Sequence, residues 1–250
     1  MMEVIAGVGL LQLLLVGAVV VLAAILRAFT GFGFGLAAVP VFALLMPPTE
    51  AVVLSASLTF TVSLLTLKTY WGGVPLRPLL PMLVLAVFGT VLGVVLLESV
   101  NPQQFKLWIG VLVILACVVL GFYRPGHHEP GVALGGFTGL CAGVMNGAFA
   151  IPGPPVIIYV MATETDAARS RALLLMFFLF MAGVALVIYA FAGFVTPAAP
   201  LQYLLAMPAM FVGDKLGYWL FRQYGTALYR RVALSLLLAV GVAITLEALW

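Results

Sequence analysis

The sequence predicts an all-α polytopic membrane protein, built as two inverted repeats of about five hydrophobic elements each, with broken or re-entrant helices at the centre. Three observations predict it. Of 250 residues, 65% are hydrophobic and 8% charged, whereas soluble domains carry about 45–50% apolar and about 25% charged residues. Apolar runs such as 4–26 and 232–249 reach the ~18 residues that mark a membrane span. The same order of glycine, aromatic and basic features also occurs in both halves of the chain.

Ten hydrophobic elements follow in order, at 4–27, 34–46, 50–70, 78–97, 104–122, 131–145, 153–162, 167–192, 201–220 and 227–248. The first lacks the basic n-region of a secretory signal, since its only early charge is Glu3, and its apolar run outlasts a normal h-region. The second follows the glycine break at 31–35 and the third follows Pro47-Pro48. Pro75 precedes the fourth, Pro102 separates it from the fifth, and Pro125 and Pro130 separate the fifth from the sixth. The seventh opens on the prolines at 152–155, and Pro197 divides the eighth from the ninth. Proline disfavours helix at and before itself, so these positions punctuate the runs. The second and seventh elements are too short to cross ~30 Å at 1.5 Å per residue.

The ten elements divide into a first membrane repeat, 1–125, and a second, 126–250, within one integral membrane domain. Gly89-Thr-Val-Leu-Gly93 parallels Gly213-Asp-Lys-Leu-Gly217, and twelve residues beyond each stands an aromatic-basic pair, Phe105-Lys106 and Tyr229-Arg230. Charge supplies the orientation, because basic residues favour cytoplasmic loops. One alternation places eight basic residues inside (Lys68, Arg77, Arg124, Arg169, Arg171, Arg222, Arg230 and Arg231) and only Lys106 outside, with Arg27 and Lys215 inside elements. Both termini are then external and the halves are inverted, a common plan for secondary transporters.

The stretch Arg27-Ala-Phe-Thr30-Gly31-Phe32-Gly33-Phe-Gly35, closed by Pro40, is the richest in chemistry. Three glycines in five residues weaken a helix. Backbone released in a membrane must be shielded or line a wet cavity, and an arginine in lipid is functional by default. Glycine amides, a half-helix N-terminus and the Arg27 fork together suit an anion. The plainer reading has Arg27 snorkelling and the glycines packing. The matching stretch, Asn146-Gly147 to Pro152-Gly153-Pro154-Pro155, supplies the second half of the site, with a proline at the first turn of a new helix; its plainer reading is a kink.

Gly135, Gly139, Gly143 and Gly147 form a stripe for close helix contact, as do Gly89 with Gly93 and Gly213 with Gly217. Asp214 and Lys215 lie toward the cytoplasmic end of the ninth element, either as a paired acid and a snorkelling base or as a coupling-proton site. Cys117 and Cys141 read as packed thiols, His127 and His128 as solvated loop residues, and Arg169 and Arg171 as topology signals. No catalytic motif is present, so an enzyme is not expected. No cofactor or metal is expected, nor is nucleic-acid binding, because the basic residues form no stripe. The expected partners are a small anion and the lipid bilayer, with homodimerisation open.

At these residues the chain resembles the sulfite exporter TauE/SafE family over nearly its whole length. The resemblance rests on Arg27-x-x-Thr30-Gly31-Phe32-Gly33-x-Gly35 with Pro40, on Gly147 followed by the 152–155 motif and Tyr159, and on the paired Gly-x-x-Leu-Gly segments. It implies a bacterial inner-membrane exporter of sulfite or organosulfonates such as sulfoacetate, with proton coupling commonly supposed. The second-half motif often reads Gly-x-Gly-Gly-Pro in that family, whereas Ala150-Ile-Pro-Gly-Pro stands here, which leaves the anion within the class open. An anion channel or uniporter, and a non-transporting scaffold, are the alternatives.

Overall fold

A computed structural model describes residues 10–30, 33–67, 79–122, 131–164, 166–224 and 226–250. Lys68, Arg77, Arg124, His127 and His128, and the prolines at 75, 125 and 130, lie outside these residues, as do the side chains of Arg222, Tyr229, Arg230 and Arg231. The described chain is ten helices with no strand: α1 (Leu10–Thr30), α2 (Phe34–Leu45), α3 (Pro48–Leu65), α4 (Leu80–Ser99), α5 (Pro102–Phe122), α6 (Val132–Phe149), α7 (Gly153–Thr163), α8 (Ala167–Phe191), α9 (Ala199–Tyr224) and α10 (Thr226–Leu249).

Local chemistry sets these boundaries. Proline occupies the first turn of α3, α4 and α7, where its missing N–H costs nothing. Helix α5 opens on a reciprocal cap: the Gln104 amide N–H donates to Asn101 Oδ1 at 2.8 Å, and the Asn101 N–H donates to Gln104 Oε1 at 3.1 Å. At α8 the Arg169 amide donates to Asp166 Oδ1 at 3.0 Å. Several helices outrun the expected elements, three of them by three residues or more. Helix α1 continues to Thr30, α6 continues to Phe149, and α9 continues to Tyr224 with Pro208 inside it. Asp214 therefore sits well inside α9 and not near its end.

Helix directions follow from the contacts. Helix α10 runs antiparallel to α5: Lys106 Nζ meets Glu247 Oε1 at 2.8 Å, and Gly121 faces Leu234 further along the pair. Helix α4 turns directly into α5, and α9 directly into α10, so α4 and α9 point to opposite faces. Helix α6 lies parallel on α4, with Gly139 on Met82, Gly143 on Ala86 and Gly147 on Thr90. Helix α1 lies parallel on α9, with Gly213 on Val21 and Ala24 and Gly217 on Ile25 and Ala28. A methyl group at any of these five glycines would run into the facing helix. Helices α1 and α6 consequently point in opposite directions.

Each then turns back. Beyond α1, Gly33 adopts φ 95°, and α2 returns until the Leu45 carbonyl accepts a hydrogen bond from Gln12 Nε2 at 2.6 Å. Beyond α6, Ala150 adopts the left-handed conformation at φ 54°, and α7 returns to set Tyr159 against Gly135. The two opposed hairpins meet at their tips, where Gly35 packs on the Ala150 carbonyl. Helix α2 carries buried residues around its circumference, from Phe34 to Ala43, as a helix at the centre of a bundle must. Helices α3 and α8 cross antiparallel beside it, with Phe60 on Gly183 and Leu67 on Ala172 and Leu175.

The outer surface is apolar, with Leu14, Phe88, Leu92, Phe137 and Phe191 exposed. Among the described residues, five helices are long and apolar enough to cross a membrane. Positions 169 and 171 at the start of α8, and 222, 230 and 231 around the α9–α10 turn, share one face of the bundle; Lys106 stands on the other.

Candidate functional site

The meeting of the hairpin tips leaves an interior cavity of about 40 Å³. One water needs about 10–15 Å³ on this measure, so the space suits a few waters or one small anion. Helix α2 contributes its first residues, Gly33 to Leu36, and the start of α7 contributes Pro152 and Gly153. Two helix N-termini thus converge on one cavity. Each end carries about half a positive charge and a set of unpaired amides.

Arg27 lines the same cavity from α1. It is buried, with 7% of its side chain exposed, and its Nη1 donates to Asp214 Oδ1 of α9 at 3.3 Å. Sequence reading treats these as separate features; the structure brings them together. Lys215, the neighbour of Asp214, is exposed. Asn146 lines the cavity at the end of α6 and is held there by its amide, which donates to the Met181 carbonyl at 3.0 Å and to Thr90 Oγ1 at 3.4 Å.

Of the other expected contacts, Gly33, Gly35, Pro152 and Gly153 line the cavity, while Gly147 and Pro154 do not. Gly147 is one residue beyond Asn146 and therefore faces α4, against Thr90. Pro154 is buried at the wall of an apolar groove of about 800 Å³ between α5, α6 and α7, which offers nothing to an anion. Gly31, Phe32 and the side chain of Thr30 lie outside the described residues.

The sequence reading missed several polar groups. Thr59 and Ser63 of α3 line the cavity. The hydroxyl of Tyr189, on α8 and 0% exposed, donates to the carbonyls of Asn146 at 2.8 Å and Gly147 at 3.0 Å. Pro40, inside α2, has no N–H for the Leu36 carbonyl one turn before it, and Leu36 lines the cavity. The alternation of Ser55, Ser57, Thr59, Thr61 and Ser63 in one apolar helix was the available signal for α3.

The chain matches the family profile described as sulfite exporter TauE/SafE over residues 16–244. It is 26% identical over 112 residues to a protein of Cupriavidus necator named probable sulfite/organosulfonate exporter TauE. That alignment covers 45% of this chain and 44% of the relative, so the chain spans less than half of that protein's length in the match. No solved structure matches the chain. With five helices among the described residues long and apolar enough to cross a membrane and a family match that takes in both hairpins and the cavity between them, the chain is a multi-pass membrane protein that belongs to the sulfite exporter TauE/SafE family.

Proposed function

We propose that this protein is a secondary transporter that exports small sulfur-containing anions, sulfite or short organosulfonates, across the inner membrane. The observation that carries the reading is the convergence of two helix N-termini and the Arg27 guanidinium on one interior cavity. Two helix ends, each contributing about 0.3–2 kcal/mol, and a forked cation offset part of the hydration an oxyanion loses on entry. Family membership and the printed name of the C. necator relative support the sulfur class. The small cavity favours sulfite over longer organosulfonates in this conformation.

The helix pairings support reading residues 1–125 and 126–250 as inverted repeats. Exchanging the halves maps α1 on α9 onto α6 on α4, and maps the α5–α10 and α3–α8 pairs onto themselves. Alternating access by rocking around the central cavity follows naturally from such a plan. The basic face is read as cytoplasmic and both termini as external. An inside-negative potential then assists outward movement of an anion by ~2.3 kcal/mol per charge per 100 mV.

The test is flux of radiolabelled sulfite, sulfoacetate, thiosulfate and sulfate from proteoliposomes. Wild type is expected to carry sulfite saturably, with Arg27→Gln losing at least about tenfold and Arg27→Lys recovering only part, because lysine lacks the planar fork. An imposed pH gradient in the same assay decides proton coupling. Absence of saturable flux for all four anions, in protein shown to be folded, would overturn the proposal.

A further inference from the structure

Three hydroxyls in and just beyond α3 are absorbed by the preceding turn. Ser57 donates to the Val53 carbonyl at 2.8 Å, Thr61 to the Ser57 carbonyl at 3.0 Å, and Thr66 to the Val62 carbonyl at 2.8 Å. Ser55 breaks the pattern. It is 0% exposed, and its Oγ has no hydrogen-bond partner. A bare buried hydroxyl destabilises a fold, although a carbonyl one turn earlier is within reach of any serine in a helix. A group left in this state calls for a reason outside the resting fold.

Its position supplies one. Thr59 and Ser63 follow Ser55 at intervals of four residues, so the three stack along one face of α3. Thr59 and Ser63 line the cavity. Glu50, in the first turn of α3, accepts a hydrogen bond from Gln202 Nε2 at 2.8 Å, and Gln202 stands near the start of α9, on the Lys106 face. At its other end α3 leads to Leu67, packed on Ala172 and Leu175 near the start of α8, on the basic face. The cavity therefore reaches along α3 toward the basic face. Ser55 stands about 6 Å beyond Thr59 in the opposite direction. That half is closed, with Ala38, Val39 and Phe42 of α2 and Ala51 and Val52 of α3 all 0% exposed.

We infer that Ser55 is the next station on the anion's path: when the packed half between the cavity and the Lys106 face opens, its hydroxyl donates to the anion leaving Arg27 and the two helix N-termini. The inference rests on the cavity being the anion site, as proposed above. A neutral donor suits this step, because it replaces a hydrating water without adding a second charge that would hold the anion back. No covalent bond is made or broken.

Removing the hydroxyl separates stability from transport. Ser55→Ala deletes a buried polar atom that the resting fold does not satisfy, so the variant is expected to melt at or above the wild-type temperature in detergent. Its binding of sulfite stays within about twofold of wild type, because the cavity is intact. Saturable efflux of labelled sulfite from proteoliposomes falls about tenfold, as expected for one lost hydrogen bond to a charged group. Ser57→Ala, whose hydroxyl is bonded within α3, keeps efflux within about twofold. Wild-type efflux in Ser55→Ala would overturn the inference. So would lost efflux together with weaker binding and lower melting, since the hydroxyl would then serve the fold, and so would an equal loss in Ser57→Ala. Wild type that neither binds nor carries sulfite would remove the underlying reading, and this inference with it; wild type that does both leaves Ser55→Ala to decide the station alone.

Discussion

Tyr189 shows how one hydroxyl can prepare a site it does not line. The last carbonyls of α6 face the same break as the helix starts, and left bare they would place partial negative charge beside a bound anion. The Tyr189 hydroxyl donates to two of them, at 2.8 and 3.0 Å, and its ring stacks on Phe194 with centroids 5.8 Å apart. Tyr189→Phe keeps the ring and removes the donor. The Asn146 carbonyl keeps the Ala150 N–H at 2.8 Å, so the change falls on the Gly147 carbonyl, and a buried carbonyl that loses its partner costs about 1–3 kcal/mol. The variant is expected to melt lower in detergent and, with partial negative charge left on that carbonyl, to bind sulfite more weakly by up to about tenfold; unchanged binding would confine Tyr189 to packing. At this scale the sequence was only partly legible. Arg27 and Asn146 stand out because charge and amide are costly in an apolar run. Hydroxyls do not, because a helix can absorb them by bonding to the preceding turn, as Ser57 does to the Val53 carbonyl at 2.8 Å and Thr61 to the Ser57 carbonyl at 3.0 Å. Thr59, Ser63 and Tyr189 were hidden among such residues. The Arg27–Asp214 pair was hidden by distance, since its partners are 187 residues apart.

Among the elements, the α4–α6 pair is the tightest, and its cause is the absence of side chains. Gly139, Gly143 and Gly147 face backbone of Met82, Ala86 and Thr90, while Gly89 and Gly93 face back toward Gly143 and Gly147. Association of helices in lipid depends on such close approach more than on apolar burial. Gly143→Leu would push the Ala86 backbone away, at a cost of about 1–3 kcal/mol or more for overpacking. Because Asn146 lies within one turn of Gly143, the change also moves the cavity wall. The variant is expected to unfold at lower temperature in detergent and to lose sulfite flux, whereas Gly131→Ala, which meets open space, changes neither. Element positions were legible because proline, glycine and run length act locally. Ends were less so: glycine-poor sequence at 28–30 lets α1 continue to Thr30, and Pro208 does not stop α9, since neighbouring helices tolerate a proline in a membrane bundle. Which glycine or proline of a motif faces the cavity was not legible, because successive helical positions turn by about 100°, and this sends Gly147 to α4 and Pro154 to the outer groove.

For the whole molecule, the two hairpins oppose each other because α4 and α9 do, and α4 and α9 do because each turns into one member of the antiparallel α5–α10 helix pair. The geometry sorts the described basic positions near the helix ends without reference to charge: 169, 171, 222, 230 and 231 fall on one face and Lys106 on the other. Basic residues resist transfer across a membrane during insertion, which supports the proposed reading of the face that holds five of them as cytoplasmic. Two exposed, small positions report on this. Ser99 ends α4 on the Lys106 face, and Thr163 ends α7 on the basic face. Single cysteines at these positions, in a background with Cys117 and Cys141 replaced by alanine, are expected to react differently with a membrane-impermeant maleimide on intact cells. Ser99→Cys labels at once, and Thr163→Cys labels only after the membrane is opened. The reversed pattern would turn the protein over and direct the proposed export inward. Labelling of both positions from the same side would mean that α4 and the α6–α7 hairpin do not end at opposite faces, and the opposed hairpins, with the cavity between their tips, could not stand.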